Sequence, residues 1–136
     1  MKLSTKGRYG LRMMIVLASH YEEGPISVKY ISKREGISED YIEQLFIKLK
    51  RCGLVKSVRG PEGGFVLAKP PSKIRAGDIM RCVGEGITLA PCIGEEVARQ
   101  DYPLWDRCIA KVFFKEVTDR LEEMMDSTSL TDICKE

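Results

Sequence analysis

Histidine is nearly absent: the 136 residues hold one, His20, and five cysteines, none of them in a Cys-x-x-Cys pair. A cysteine nucleophile needs a base beside it, and His20 lies far in sequence from the acidic C-terminal half, which argues against a thiol-dependent enzyme. No His-Glu-x-x-His pattern occurs. The Gly63-Gly64 pair belongs to a hairpin rather than to the strand-to-helix turn that cradles phosphate. Long apolar runs are missing too. The stretch 11–18 is apolar, but it is short and sits inside a helical pattern, so no membrane partner is expected. Polar residues follow Met1 without the layout of a signal peptide. There is no internal repeat and no low-complexity tract. A cytoplasmic protein with one modest core is the expectation.

Cysteine usage fits that setting. Cys52, Cys82, Cys92, Cys108 and Cys134 are odd in number, and an odd count in a cytoplasmic chain does not suggest a disulfide framework. Cys52 and Cys134 read as buried or incidental thiols, and Cys82 as a core residue under a hairpin.

The charge present is unevenly spread. Residues 1–75 carry 15 Lys and Arg against 7 Asp and Glu, a balance of +8, while residues 76–136 carry 7 against 13, a balance of −6; the chain nets +2. A basic half joined to an acidic one is the footprint of a nucleic-acid-binding module attached to a segment that avoids nucleic acid.

The pattern along the chain gives that module a shape. A first helix is predicted over 5–21, capped by Ser4 or Thr5, with Leu11, Met14, Ile15 and Ala18 facing the core. Gly24-Pro25 ends it. Ser27 caps a second helix to about residue 34, with Val28 and Ile31 inward, and Gly36 closes it. Ser38 caps a third helix, whose first turn carries Glu39 and Asp40 where the helix dipole favours negative charge. Ile42, Leu45, Phe46 and Leu49 form its apolar stripe, and Gly53 stops it. Strands are predicted over 54–58 and 65–68, joined by the turn Arg59-Gly60-Pro61-Glu62-Gly63-Gly64. A helix over 76–83 places Ile79, Met80 and Val83 inward.

Residues 84–103 read as a loop long enough to be functional. The helix over 104–125, roughly 33 Å long, carries Trp105, Ile109, Val112, Phe113, Val117, Leu121 and Met124 as a stripe too long for the small domain to cover. Pairing with the same helix of a second subunit would bury it. Residues 127–133 fold back as a short tail. The fold expected is mainly α with a small two-stranded wing. It comprises a winged helix-turn-helix domain at 1–83, a candidate sensor loop at 84–103, and a dimerisation helix with tail at 104–136.

In such a fold the third helix enters the major groove of DNA and the hairpin reaches a neighbouring groove. Asp40, Glu43 and Gln44 lie mainly off the apolar stripe. Glu43 can accept from a cytosine amino group, and Gln44 can pair with adenine. Arg59 at the wing tip suits a narrow minor groove. Lys2, Thr5, Lys6, Arg8 and Tyr9 at the start of the first helix suit phosphate oxygens, as do Ser38, Tyr41, Lys48, Lys50, Arg51 and Gly60.

Seven segments together carry a resemblance: Ser4-Thr5-Lys6-Gly7-Arg8-Tyr9, Ile37-Ser38, Tyr41-Ile42-Glu43-Gln44-Leu45, Gly53-Leu54-Val55-Lys56-Ser57-Val58-Arg59-Gly60, Gly63-Gly64, Ala76-Gly77-Asp78-Ile79 and Asp126-Ser127-Thr128. They span nearly the whole chain, which is similar to the bacterial winged-helix regulators that include IscR, CymR and NsrR. The resemblance implies a homodimeric transcriptional regulator, expected to be a repressor, on a palindromic operator of double-stranded DNA. It implies that Glu43 and Gln44 read bases and Arg59 the minor groove.

The resemblance also raises an iron–sulfur cluster. Cluster-binding members place three cysteines before the long helix and add a fourth ligand, such as a histidine just after the third cysteine or an acidic residue on the first helix. Here Cys92 and Cys108 stand at the outer positions with no cysteine between them. Lys111 lies three residues after Cys108, and Arg8 stands where an acidic ligand is expected. Glu95, Glu96 or Asp101 as oxygen ligands, or two cysteines pooled from each subunit, would complete the usual four. A Cys92/Cys108 redox switch, control by a bound metabolic enzyme, and cysteines without a sensory role are the alternatives.

Overall fold

The structure is a computed structural model that describes residues 3–86 and 109–135. Among these residues lie six α-helices and a two-stranded antiparallel sheet: α1 Thr5–Ser19, α2 Val28–Glu35, α3 Glu39–Arg51, β1 Val55–Val58, β2 Gly64–Leu67, α4 Ala76–Val83, α5 Ile109–Ser127 and α6 Leu130–Cys134, with a 3-10 turn at Pro71–Lys73 before α4. The expected winged helix-turn-helix is the observed fold. The part of the long helix expected at 104–108, Trp105 included, lies outside the described residues.

Local chemistry sets the boundaries. The Ser27 hydroxyl accepts from the Tyr30 N–H at 3.0 Å, and Ser38 does the same for Tyr41 at 3.2 Å, so each serine satisfies one of the unpaired donors of a helix start. Between these helices Gly36 takes a left-handed conformation (φ 69°), which a Cβ would make costly. The α2–turn–α3 unit is thereby held by two caps and one glycine.

α1 is the central post. It packs against α2, α3, β2, α4 and α6, so no single stripe describes it. Of the expected inward residues Met14 is fully buried, while Leu11, Ile15 and Ala18 are only half-buried; Met13, Val16 and Leu17 are buried beside Met14. The periodic reading picked one edge of a helix that is enclosed on most sides. The stripe of α3 is as expected, with Ile42, Leu45, Phe46 and Leu49 all buried.

The C-terminal elements complete the same core. Leu130 of α6 is fully buried in the shared core, where α6 packs on α1 and on the 3-10 turn before α4. The Ala76 N–H donates to the Thr128 carbonyl at 2.9 Å, and the Leu130 N–H donates to the Ile74 carbonyl at 2.9 Å. Arg81 of α4 pairs with Asp126 of α5 at 2.8 Å and with Asp78 at 3.2 Å. The segments Ala76-Gly77-Asp78 and Asp126-Ser127-Thr128, far apart in sequence, are thus two sides of one contact. Those ion pairs are exposed and worth at most about 1 kcal/mol each, so their role is to set geometry.

One expectation is corrected. Cys52 and Cys82 are joined as a disulfide, with Cα atoms 6.1 Å apart. Cys52 is the exposed C-cap residue of α3 and Cys82 sits half-buried in the last turn of α4. Thirty positions separate them in sequence, and only the packing of α4 against the end of α3 brings them together. Cys134, expected to be buried or incidental, is exposed and free.

Candidate nucleic-acid interface

The outer face of α3 carries Asp40, Glu43, Gln44, Ile47, Lys48 and Arg51, all exposed. Their spacing keeps them on one line along a helix of 3.6 residues per turn, over about 16 Å. The opposite face is the buried stripe, so core packing fixes which residues point out. None of these six side chains has a hydrogen bond or ion pair with another described residue. Ile47 is the exception in character: an aliphatic side chain 59% exposed amid polar neighbours. Sequence reading passed over it, although its place three and four residues beyond Gln44 and Glu43 was the available signal. Lys50 turns away from this line, its ammonium donating to the Ser57 hydroxyl of β1 at 3.0 Å.

The wing is anchored to the same helix. β1 and β2 pair antiparallel, Val55 opposite Leu67 and Val58 opposite Gly64. Phe65 of β2 stacks on the buried Phe46 of α3, ring centroids 4.1 Å apart. Ile26 adds a one-residue bridge to Phe65, through hydrogen bonds of 3.0 and 2.9 Å. Beside it Gly64 approaches the Ile26 carbonyl so closely that any Cβ would collide. These contacts fix the hairpin relative to α3 and leave Arg59 exposed at the tip, next to Gly60 in a conformation with φ 115°.

The start of α1 forms the third part. Thr5 Oγ1 lies 3.2 Å from the Tyr41 hydroxyl, and the Tyr9 and Tyr41 rings meet edge to face at 5.8 Å. This joins the first turns of α1 and α3. The Arg8 and Arg12 guanidinium groups stand 6.0 and 5.4 Å from the Tyr9 ring centroid. Arg12, which sequence reading missed, is also clasped to α2 through the Glu35 carboxylate at 3.1 Å and carbonyl at 2.6 Å.

Glu85 is a third residue that sequence reading missed. It is buried, and it accepts from the Ser4 backbone N–H at 2.8 Å and from the Ser4 hydroxyl. The Ser4 hydroxyl bond, then the Ser4 backbone bond and the charges of Lys6 and Arg8, hold its carboxyl below the ordinary value of 4.5 against the opposing effect of burial. Lys6 therefore faces Glu85 in part. Lys2 lies outside the described residues.

The predicted reading set is thus brought together by α3, the wing and the start of α1. The sensor candidates are not placed: Cys92 and Cys108, with residues 87–108, lie outside the described residues. Among the described residues no group of three or more His, Cys, Asp or Glu could hold a metal ion, and no helix is long and apolar enough to cross a membrane. On α5, Ile109, Val112, Phe113 and Met124 are exposed at 86, 69, 58 and 66%, while Val117 and Leu121 are half-buried.

A capped recognition helix, an arginine-tipped two-stranded wing and a basic helix start define a winged-helix transcriptional regulator. Comparison with known proteins specifies the class further. Residues 3–136 match the family model Rrf2, described as an iron-dependent transcriptional regulator. The chain is 44% identical over 134 residues to the HTH-type transcriptional regulator CymR of Bacillus subtilis (strain 168), covering 98% of this chain and 89% of that protein. It is 37% identical over 133 residues to the regulator IscR of Pectobacterium carotovorum subsp. carotovorum (strain PC1), covering 98% and 79%. The solved structure of CymR, the global cysteine regulator of B. subtilis, superposes with a TM-score of 0.77 at 41% identity over 99% of this chain and 97% of that one. The chain belongs to the Rrf2 family of transcriptional regulators.

Proposed function

We propose that the chain acts as a homodimer that binds a palindromic operator in double-stranded DNA and represses transcription in the cytoplasm. The observation that carries this reading is the unpartnered outward line of α3 beside an arginine-tipped wing, both fixed to one core. An α-helix fits the major groove. There Glu43 accepts from a cytosine amino group, Gln44 pairs with adenine, and Asp40 contacts the groove at the same helix end. Arg59 enters the neighbouring minor groove. Thr5, Arg8, Tyr9, Tyr41 and Ser38 hold phosphates at the start of α1 and α3, with Lys48, Arg51 and Gly60 on the far side. Lys6 adds positive charge from the neighbourhood of Glu85, and Lys50 from its hydrogen bond to Ser57.

Two-fold symmetry completes the mechanism. The exposed apolar face of α5 pairs with its copy, and the two α3 helices then stand ~34 Å apart, or a multiple of that, to meet successive major grooves. Regulation by iron–sulfur, redox or cysteine status acts by favouring one orientation of the long helices, and only a signal that binds the two orientations differently shifts the balance. Cys92 and Cys108 supply half of the four thiolates a cluster usually takes. That donor set does not fit a cluster by itself.

Binding to operator fragments, followed by fluorescence anisotropy with salt titration, tests the reading. The dissociation constant rises steeply with salt, because phosphate contacts release counterions. Arg59→Ala binds more weakly and loses preference for A·T pairs flanking each half-site. Operator binding by Arg59→Ala equal to wild type would remove the wing from the interface, and binding no tighter than to random duplex would end the reading.

A further inference from the structure

The Cys52–Cys82 pair lies where it can report on oxidants and act on the DNA-reading unit. Cys52 caps the C-terminal end of α3, directly after Arg51, and Cys82 lies in the last turn of α4. The chain between them contains the whole wing, so both ends of that unit close on one bond. A Cα separation of 6.1 Å lies within the disulfide range, so the two helix ends stand where the bond requires them.

Two features mark the pair as reversible rather than a buried structural link. The sulfurs open onto a surface cavity of about 300 Å3 lined by Cys52, Leu54, Lys69, Asp78, Arg81 and Cys82. Of the charges in that lining Arg81 is paired with Asp78 and Asp126, which leaves Lys69 as the cation beside the sulfurs, and oxidant can reach them from solvent. In addition, Cys82 Sγ lies 3.0 Å from the Lys48 carbonyl oxygen of α3. A reduced Cys82 donates its proton to that carbonyl, which also accepts from the Cys52 N–H at 3.1 Å and has a second lone pair to offer. A disulfide sulfur has no proton to donate. The last turn of α3 therefore has two alternative holds from α4, a weak hydrogen bond when reduced and a covalent bond when oxidised.

We propose that Cys52 and Cys82 form a redox site for hydroperoxide-class oxidants, and that its oxidation staples the recognition helix and wing to α4 in their DNA-ready arrangement. The Cys52 thiolate, the more exposed, attacks the outer oxygen of the hydroperoxide. The O–O bond breaks, an alcohol or water leaves after protonation, and Cys52 becomes a sulfenic acid. Cys82 then attacks that sulfur, the S–S bond forms, and the hydroxyl leaves with a proton as water. Two thiols and one hydroperoxide give one disulfide, one alcohol or water, and one further water. Reduction by a dithiol reverses the change. The staple removes freedom that the reduced helix end and wing must lose on binding DNA; this effect on DNA rests on the function proposed above, whereas the chemistry of the site does not.

The test uses the full chain with Cys92→Ser, Cys108→Ser and Cys134→Ser, treated anaerobically with one equivalent of hydrogen peroxide. Expected are loss of both remaining thiols, a linked peptide pair containing Cys52 and Cys82 by mass spectrometry, and reversal by dithiothreitol. The melting temperature rises by roughly 10 °C, from closure of a long loop. Operator affinity rises about threefold or more. Further Cys52→Ser or Cys82→Ser substitution abolishes all three effects. Thiols that survive peroxide, or an unchanged melting temperature, overturn the site. A formed disulfide with equal operator affinity in both states overturns its action on DNA. If neither state binds operator, the DNA-binding function itself fails, and thiol count and melting temperature judge the site independently.

Discussion

Ile47 projects from the middle of the α3 line with more than half its surface exposed, in a position where burial gives it no role in the core. An aliphatic group at that place in a major groove suits the methyl of thymine. Ile47→Ala is expected to leave folding stability within about 0.5 kcal/mol while weakening operator binding. Replacing the contacted thymine by uracil weakens wild type by a similar factor and leaves Ile47→Ala unaffected. A variant as sensitive to uracil as wild type would place Ile47 outside the groove.

Glu85 offers a second residue-scale expectation. Its carboxyl is held below 4.5 chiefly by the Ser4 hydroxyl bond. A group whose pKa is lower in the folded chain contributes stability that is present above its unfolded value and is lost as pH falls through the folded one. Wild type therefore loses stability on acidification below about 4.5, and Glu85→Gln loses less over the same interval while being less stable at neutral pH. Urea unfolding at neutral and acid pH checks this. Parallel pH profiles for the two proteins would show that Glu85 does not pin the start of α1.

At the scale of elements, the contact between α4 and the end of α5 depends on a missing side chain. A Cβ on Gly77 would collide with the Asp126 carboxylate, the group that pairs with Arg81. Gly77→Ala must displace that carboxylate or separate the helices, an overpacking cost of about 1–3 kcal/mol. Thermal unfolding measures it, and an unchanged melting temperature would show that Asp126 moves aside freely. The helix-turn-helix was legible in sequence because its determinants are local: Ser27 and Ser38 cap their own helices, and Gly36 turns the chain between them. The enclosure of α1 was not legible. Whether Val16 and Ile15 are fully or partly buried depends on β2, α4 and α6, elements placed by tertiary packing.

For the whole molecule, the exposed face of α5 sets the expectation. Ile109, Val112 and Phe113 lie on it with most of their surface uncovered, and an apolar run of that kind marks an interaction surface. Phe113→Glu should shift sedimentation velocity from dimer to monomer. It should also weaken operator binding far more than binding of a single half-site, since in the proposed dimer both α3 helices engage together. A variant that remains dimeric with full operator affinity would assign the pairing to another surface.

The order of elements, the buried stripe of α3 and the basic character of the first half were set by the sequence alone, because helical period, caps, turns and charge act over a few residues. The tertiary structure alone decided three things: that Cys52 meets Cys82, that Ser4 meets Glu85, and that the Asp126 segment closes on Gly77. Each joins positions far apart in the chain, and only the packing of α4 against α3, α1 and α5 brings those backbones within bonding distance.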